Sequence, residues 1–412
     1  MNALVSRDLL LINAAAFLRS LIFGLTGVVL GIYLFRAGLS SFDIGVVIAA
    51  GLAGSALATV GVTAKADRVG RRRTLVVLSL LGAMGVLALA LTHAVPVLLL
   101  VAFVGMLNGT GTDRSAAFSL ELAIVPGLVP DRSRTWALSC YNVVLDTAGS
   151  LGALAAALPL LLQRWLALPL LTSYRTVFFG CALLGVIGAV LYPLASAAVE
   201  VSKSETEAPP HHISPATKKV VTKLAGLFSL DAFGGGFLTD ALVAYWFFRR
   251  FGAAEESLGI LFFAVHLLNA ASHLGAAWLA RRIGLVNTMV LTHLPSSLFL
   301  IAAAFAPSLR VAVLLFLCRE ALVEMDVPTR QSYVAAVVLR NERTFASGIT
   351  NLARNVFWAI GSSIAGFFMQ NVALSAPLVI GGGAKISYDL LLYRAFRRLR
   401  PPEEQPKAMS LP

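Results

Sequence analysis

A chain of 412 residues that is 58% hydrophobic and only 13% charged is too apolar for a soluble globule. Its net charge of +12 would suit a nucleic-acid partner, but the basic residues cluster in short gaps between apolar blocks, and that placement excludes nucleic acid in favour of a membrane topology signal.

Apolar stretches of about 18 residues or more read as membrane-spanning helices. In chain order they fall near residues 9–34, 43–64, 74–93, 96–120, 135–161, 175–197, 222–248, 257–280, 286–307, 310–336, 344–370 and 374–394. Helices of about 20–25 residues joined by short turns account for nearly the whole chain, so no soluble domain fits beside them. The predicted fold is therefore an all-α polytopic membrane protein with twelve transmembrane helices. The N-terminus lacks a small-residue cleavage site, so the first apolar segment is expected to be a true span.

The loop at Lys65, Arg68 and Arg71 to Arg73, the linker lysines Lys218, Lys219 and Lys223, and the tail arginines Arg394 to Arg400 all fall on one side of that topology. The opposite loops hold only scattered arginines such as Arg36, Arg164, Arg175 and Arg310. This positive-inside bias predicts both termini in the cytoplasm of a multi-pass cell (inner) membrane protein, with anionic lipid headgroups as partners of the basic loops. Cys140, Cys181 and Cys318 lie inside apolar segments without CxxC spacing and read as reduced core residues.

Residues 198–221 form the one long polar stretch, rich in proline and mixed charge, and read as a cytoplasmic linker. His211-His212 lacks further ligands nearby, so a loop is preferred there to a metal site. The division is 1–197 for the first six-helix bundle, 198–221 for the linker, 222–398 for the second bundle and 399–412 for a cytoplasmic tail. The halves echo each other. Arg134-Thr135-Trp136-Ala137 matches Arg343-Thr344-Phe345-Ala346, and Gly149-Ser150-Leu151-Gly152 is echoed by Gly361-Ser362-Ser363 and Gly366. Asp67-Arg68-Val69-Gly70 has a worn copy in Arg281-Arg282-Ile283-Gly284.

The run Gly61 to Arg73 resembles the loop between the second and third helices of the major facilitator superfamily of transporters, whose pattern begins G-x-L-A-D-R-x-G-R. Ala66, Asp67, Arg68, Gly70, Arg71 and Arg72 fit it, whereas Thr63 and Lys65 replace the first Gly and the Leu. The resemblance implies two pseudo-repeated six-helix bundles around a cavity near mid-membrane, working as a monomer by alternating access. It also implies a conformational latch of Asp67, Arg68, Gly70 and Arg71, in which Asp67 accepts hydrogen bonds from a helix N-terminus of the other half. A purely topogenic role for Arg71 to Arg73 is the alternative. Gly70 is expected to supply a positive-φ turn.

An ionisable residue inside the bilayer costs roughly 2.5–3.5 kcal/mol on insertion scales, so it reads by default as paired or functional. The candidates for substrate binding or proton coupling are Arg19, Asp113, Arg114, Asp146, Asp231, Asp240, Arg319, Glu320, Glu324 and Arg354. Asp113 and Arg114 are expected to find partners on the tenth or eleventh helix, and Arg319 and Glu320 to lie on neighbouring stripes of the tenth. Asp326 and Arg330, four residues apart, are expected to pair along one helix. Snorkelling to the interface is the preferred reading for Glu121 and Arg330. Arg19 and Arg354 each need an anion, either a carboxylate across the bundle or an anionic substrate. Gly234-Gly235-Gly236 after Asp231 predicts a broken seventh helix. His266, Asn269 and His273 share a stripe of the eighth, with a hydrogen-bonded helix contact preferred to proton carriage.

No Walker loop, HExxH or nucleophile elbow occurs, so neither ATP nor membrane-embedded hydrolysis is indicated, and no cofactor or metal is expected. The expected function is a secondary active transporter of a small organic solute, proton-coupled, with export favoured because the aromatic run Phe237, Tyr245, Trp246, Phe247, Phe248 suits an amphiphile. Proton-coupled uptake of a metabolite is the alternative, and a non-transporting sensor or scaffold is a third. Glu324 is the leading proton site and Arg354 the leading anion-binding or charge-pairing site.

Overall fold

The computed structural model describes residues 7–92, 94–107, 109–113, 115–129, 134–200, 214–338 and 343–397. These form sixteen α-helices and no strand among the described residues. They are α1 (Arg7–Arg36), α2 (Ser41–Val69), α3 (Arg71–Leu91), α4 (Val95–Gly105), α5 (Ala116–Ile124), α6 (Arg134–Leu154), α7 (Leu158–Leu166) and α8 (Leu170–Leu191). After the polar stretch come α9 (Pro215–Gly236), α10 (Asp240–Phe251), α11 (Glu255–Ile283), α12 (Leu285–Ala304), α13 (Leu309–Val323), α14 (Asp326–Val337), α15 (Arg343–Asn371) and α16 (Ala376–Phe396).

With the broken pairs α4/α5, α6/α7, α9/α10 and α13/α14 joined, the helices make the twelve expected passes. Among the described residues, eight of the passes are long and apolar enough to cross a bilayer. The fourth falls short because it is broken, and the tenth to twelfth carry buried ionisable residues, among them Arg319, Arg354 and Lys385. The fourth pass was expected to be one continuous helix over 96–120. It unwinds instead between Gly105 and Ala116, where Gly109 and Gly111 adopt φ of +56° and +73°. The break expected after Gly234-Gly235-Gly236 is present, since α9 ends at Gly236 and α10 begins at Asp240.

Local chemistry sets several boundaries. Ser40 and Asp43 form a reciprocal capping box, each side chain accepting from the other's backbone N–H at the start of α2. Gly70, at φ +105°, turns the chain between α2 and α3 as expected, and Gly284, at φ +86°, does the same between α11 and α12. The two repeat copies thus share a turn that no side chain with a Cβ adopts easily.

Contacts divide the chain into two compact units. Unit 1 comprises Met1–Pro210, Gly236–Leu267 and Trp358–Pro377, and its core packs Ile12 and Ala16 of α1 against Ala117 and Leu120 of α5 and Tyr141 of α6. Unit 2 comprises His211–Gly235, Leu268–Phe357 and Leu378–Pro412, with Leu224 and Phe228 of α9, Met289 of α12, Tyr333 of α14 and Tyr388 of α16 at its centre. Many large apolar side chains stay exposed, among them Leu57, Leu80, Leu100, Leu183, Leu298 and Leu314. Against hydrocarbon such a surface costs nothing, so helix association must come from close backbone approach and polar contacts.

Small residues supply that approach in unit 1. A Cβ on Gly24 would lie 2.1 Å from the Gly149 carbonyl oxygen, and one on Gly152 would lie 2.0 Å from that of Leu21. The Gly149-Ser150-Leu151-Gly152 segment therefore seats α6 on α1. Its echo on α15 seats against α2, where a Cβ on Gly366 would lie 2.4 Å from the Ser41 carbonyl oxygen. We predict that Gly152→Ala lowers thermal stability in detergent by about 1–3 kcal/mol through overpacking. Gly180→Ala, with open space around it, should melt like the wild type. Equal melting of both variants would rule out the close α1–α6 contact.

Candidate functional site

Unit 1 holds a closed ionic cluster built on Arg19 at mid-α1. Its Nε donates to Asp113 Oδ2 at 2.5 Å, NH2 to Glu121 Oε2 at 2.5 Å and NH1 to the Tyr192 hydroxyl at 2.8 Å. Tyr141 and Tyr192 also donate to the two oxygens of Glu121, at 2.5 and 2.6 Å. Glu121 is 0% exposed, so the snorkelling reading of this residue is wrong. A carboxylate with an arginine and two phenols as partners has no need of the interface. For Asp113 the expected partner on the tenth or eleventh helix is corrected, because it meets Arg19 of the first. Asp113 reaches Arg19 because the chain unwinds there. From the break, its Oδ1 also accepts from the Ser115 backbone N–H at 2.9 Å. Arg114 lies outside the described residues.

Unit 2 holds a second cluster centred on Asp231 of α9, which is 3% exposed. Its Oδ2 accepts from Arg354 NH1 at 2.9 Å and its Oδ1 from Lys385 Nζ at 2.8 Å, with Arg330 NH1 at 3.5 Å. Arg330 also pairs with Asp326 one turn away, as the spacing predicts. Arg330 is buried in this cluster and does not snorkel. His293 of α12 adds a titratable group, with Nδ1 3.0 Å from Asp389 Oδ1 and Nε2 3.3 Å from Lys385 Nζ. Arg354 thus finds the carboxylate it was expected to need. Lys385, Asp389 and His293 were not among the candidates. The cost that singles out Arg354 applies equally to Lys385 and Asp389, four apart in an otherwise apolar segment. The partnership between three passes, however, has no linear signature.

The remaining candidates sit apart from these clusters. Arg319 and Glu320, on the neighbouring stripes expected of adjacent helical residues, pair with each other. Glu324 is half-buried at the joint between α13 and α14, within electrostatic reach of Arg330. Asp146 is half-buried on α6, and its carbonyl accepts from Ser150. Asp240 opens α10 in unit 1, with its Oδ2 3.5 Å from Nε2 of the buried His266. There the two breaks meet. The Ala241 N–H donates to the Gly109 carbonyl at 2.9 Å, and a Cβ on Gly111 would lie 1.8 Å from Asp240 Oδ2. A Cβ there would force Asp240 to shift, and the φ of +73° favours glycine.

The aromatic run after the break is protein core. Phe237, Tyr245, Trp246 and Phe247 are 0% exposed, with Tyr245 against Phe35 and Trp246 bonded to Ser375. This burial removes the reason for inferring an amphiphilic solute from it. At the same end of unit 1, Arg36 pairs with Glu255 at 2.7 Å, and Tyr174 donates to the same carboxylate.

In the second-to-third-helix loop, the side chains of Asp67 and Arg68 lie outside the described residues. Arg71 contributes its backbone N–H, which donates to Glu200 Oε2 at 2.6 Å, while the Arg72 backbone and Nε donate to Glu200 Oε1. Glu200 therefore caps the N-terminus of α3, where Gly70 brings no side chain to do so. Burial pushes the Glu200 carboxyl up, but the hydrogen bonds from Arg71 and Arg72 outweigh it and hold it below the ordinary glutamate value.

The Major Facilitator Superfamily model matches residues 12–323 and 224–411 of this chain. An uncharacterised membrane protein of Saccharomyces cerevisiae, YJR124C, is 27% identical over 418 residues, covering 94% of this chain and 93% of its own. Among solved structures, the nucleoside transporter NupG superposes with a TM-score of 0.73 at 13% identity, covering 95% of this chain and all of that one. The inward-open xylose transporter XylE from E. coli gives 0.71 at 15% identity, covering 94% and 96%. At such identities the likeness is one of fold.

Two outcomes test this geometry. Asp231→Asn should destabilise the protein by about 3–5 kcal/mol, because it leaves buried cations uncompensated. Adding Lys385→Gln should recover part of that loss, and strictly additive effects would mean the two side chains do not interact. Glu200→Gln should cost about 1 kcal/mol near neutral pH. Because the folded-state pKa is depressed, this contribution is present above the ordinary glutamate range and disappears as pH falls through the lowered value. Melting curves of wild type and variant should therefore converge once the pH has fallen below that lowered value.

Proposed function

The chain belongs to the major facilitator superfamily, and we propose that it is a proton-coupled secondary transporter moving a small organic solute across the cell membrane by alternating access. The observation that carries this reading is His293. It is a titratable ring inside the membrane region of unit 2, in contact with a cation on one side and a carboxylate on the other. A proton gained or lost there changes the pairing of Asp231 and Lys385, whose partners come from the seventh, eleventh and twelfth passes. Local charge and helix contacts are thereby linked, which is what coupling to a proton gradient requires.

In this reading both termini are cytoplasmic, residues 198–221 link two six-helix bundles, and a single chain is the working unit. Anionic lipid headgroups meet the basic loops. The Arg36–Glu255 end of unit 1 then faces outward. Polar contacts there join the first six passes to the seventh, eighth and eleventh, and they can break and re-form as the outer mouth opens. The direction of transport follows from the assay rather than from the aromatic run, whose side chains are buried.

The test uses purified protein in liposomes holding an inward-acidic proton gradient and a pH-sensitive dye, challenged with a panel of organic cations, anions and neutral metabolites. At least one solute should dissipate the gradient with wild type, and His293→Gln should remove that response. Loss with Glu324→Gln while His293→Gln stays active would return the proton site to Glu324. An unmoved gradient across the whole panel, with counterflow of none of its members, would overturn the carrier reading.

A further inference from the structure

We propose that the corner where the start of α9 meets the end of α16 binds the phosphate of an anionic phospholipid headgroup, which ties these two helices together. This rests on the membrane orientation given above and names one site for the lipids that it sets against the basic loops.

The two helices share a seam in unit 2. Asp231 meets Lys385, the rings of Phe228 and Tyr388 lie 6.3 Å apart, and the Lys223 ammonium stands 5.0 Å from the centre of the Phe396 ring. Phe396 is itself fixed, at 2% exposure and edge-on to Tyr333 of α14. Its contact with Lys223 therefore brings an α9 cation to the end of α16 that carries Arg394 and Arg397.

No carboxylate answers these charges. α9 carries Lys218, Lys219 and Lys223 ahead of its only acid, Asp231, and α16 has no acid after Asp389. All five cations are exposed. Among the described residues their side chains make no ion pair and no hydrogen bond. Their contacts are with rings, Lys223 with Phe396 and Arg397 with Tyr393 at 5.7 Å. Inside the units the pattern is the reverse, since Arg19, Arg319, Arg330 and Arg354 all have carboxylate partners. Nor does the backbone compensate the lysines, which stand toward the positive end of α9. The positive-inside rule accounts for the face on which these residues lie, but it supplies no counter-ion for like charges gathered from two helices.

The rings point to a headgroup as that counter-ion. Tyr393 is 39% exposed and precedes Arg397 by four residues. At the same end of α11, Trp278 is 51% exposed and precedes Arg282 by four, with the guanidinium 4.2 Å from the ring centre. In both pairs the aromatic sits at the level of the membrane interface and the arginine one turn farther out, at the depth of the phosphates. A cation resting on a ring keeps its N–H groups for an anion, and a guanidinium offers them as a fork that suits phosphate.

The experiment adds short-chain phosphatidylglycerol, short-chain phosphatidylcholine or inorganic phosphate to purified full-length protein in neutral detergent. Melting temperature and lipid retention in native mass spectrometry are read together. Phosphatidylglycerol should be retained and should stabilise the wild type beyond phosphatidylcholine. Combining Lys223→Gln, Arg394→Gln and Arg397→Gln should weaken it about fivefold per charge removed. Arg394→Lys with Arg397→Lys, which keeps the charge, should retain most of the binding. Arg310→Gln, an exposed cation at the opposite end, should bind as the wild type does. Equal response to both lipids, undiminished retention in the triple variant, or an equal loss in Arg310→Gln would each overturn the proposal. Stabilisation by inorganic phosphate that matches the lipid's would assign the corner to a soluble phosphate instead. A lipid preference that emerges only after Glu403→Gln with Glu404→Gln would assign it to the chain's own tail. None of these readings needs transport, so a protein that carries solute in phosphatidylcholine liposomes without any lipid preference keeps the carrier reading and loses this one.

Discussion

The cost of an ionised group left unpaired in a low-dielectric interior governs the architecture of this protein. Arg19 cannot sit at mid-helix in the first pass unless carboxylates reach it, so the fourth pass must bring Asp113 and Glu121 to it, and the fifth and sixth must bring Tyr141 and Tyr192 to finish Glu121. In unit 2 the same requirement gathers the seventh, ninth, tenth, eleventh and twelfth passes around Asp231 and His293. Each cluster settles which helices are neighbours inside its unit. Apolar residues of similar volume would stabilise helix packing as well or better, so stability alone does not account for clusters of this size.

Backbone obeys the same rule. A helix unwound inside hydrocarbon exposes carbonyls and N–H groups that water is not there to satisfy. The fourth pass unwinds through Gly109 and Gly111, and the seventh through the residues after Gly236, and each supplies what the other lacks. The first-turn N–H of Ala241, orphaned at the start of α10, is accepted by the Gly109 carbonyl. Glycine at position 111 leaves room for the Asp240 carboxylate, which then lies beside His266. At the far end of α3, Glu200 plays the complementary part, bringing a negative charge to a helix N-terminus whose own cap position is a glycine.

These two kinds of constraint meet at His293. Its ring edge faces Lys385, its other nitrogen is held by Asp389, and Asp231 lies just beyond hydrogen-bond distance. The ring therefore ties together side chains contributed by the seventh, ninth and twelfth passes of unit 2.

Much of the fold was legible in the chain because the bilayer imposes a one-dimensional code. Twelve apolar stretches, the basic bias of alternate gaps, the glycine turn at Gly70 and the Gly234 to Gly236 break each follow from hydropathy, charge or a missing Cβ, all local properties. The ionisable residues that matter were largely visible too, since each is an exception in an apolar run, and the Asp326–Arg330 pair could be counted from helical spacing. Who meets whom was not. Glu121 and Arg330, near the ends of their segments, looked free to reach water. Only the packing of distant passes buried them, and Lys385 and Asp389 acquired meaning only beside a histidine some ninety residues earlier. The unwinding at Gly109 also depended on a partner helix end to satisfy its carbonyl. Burial and pairing are properties of neighbours in space, and a linear pattern records neither.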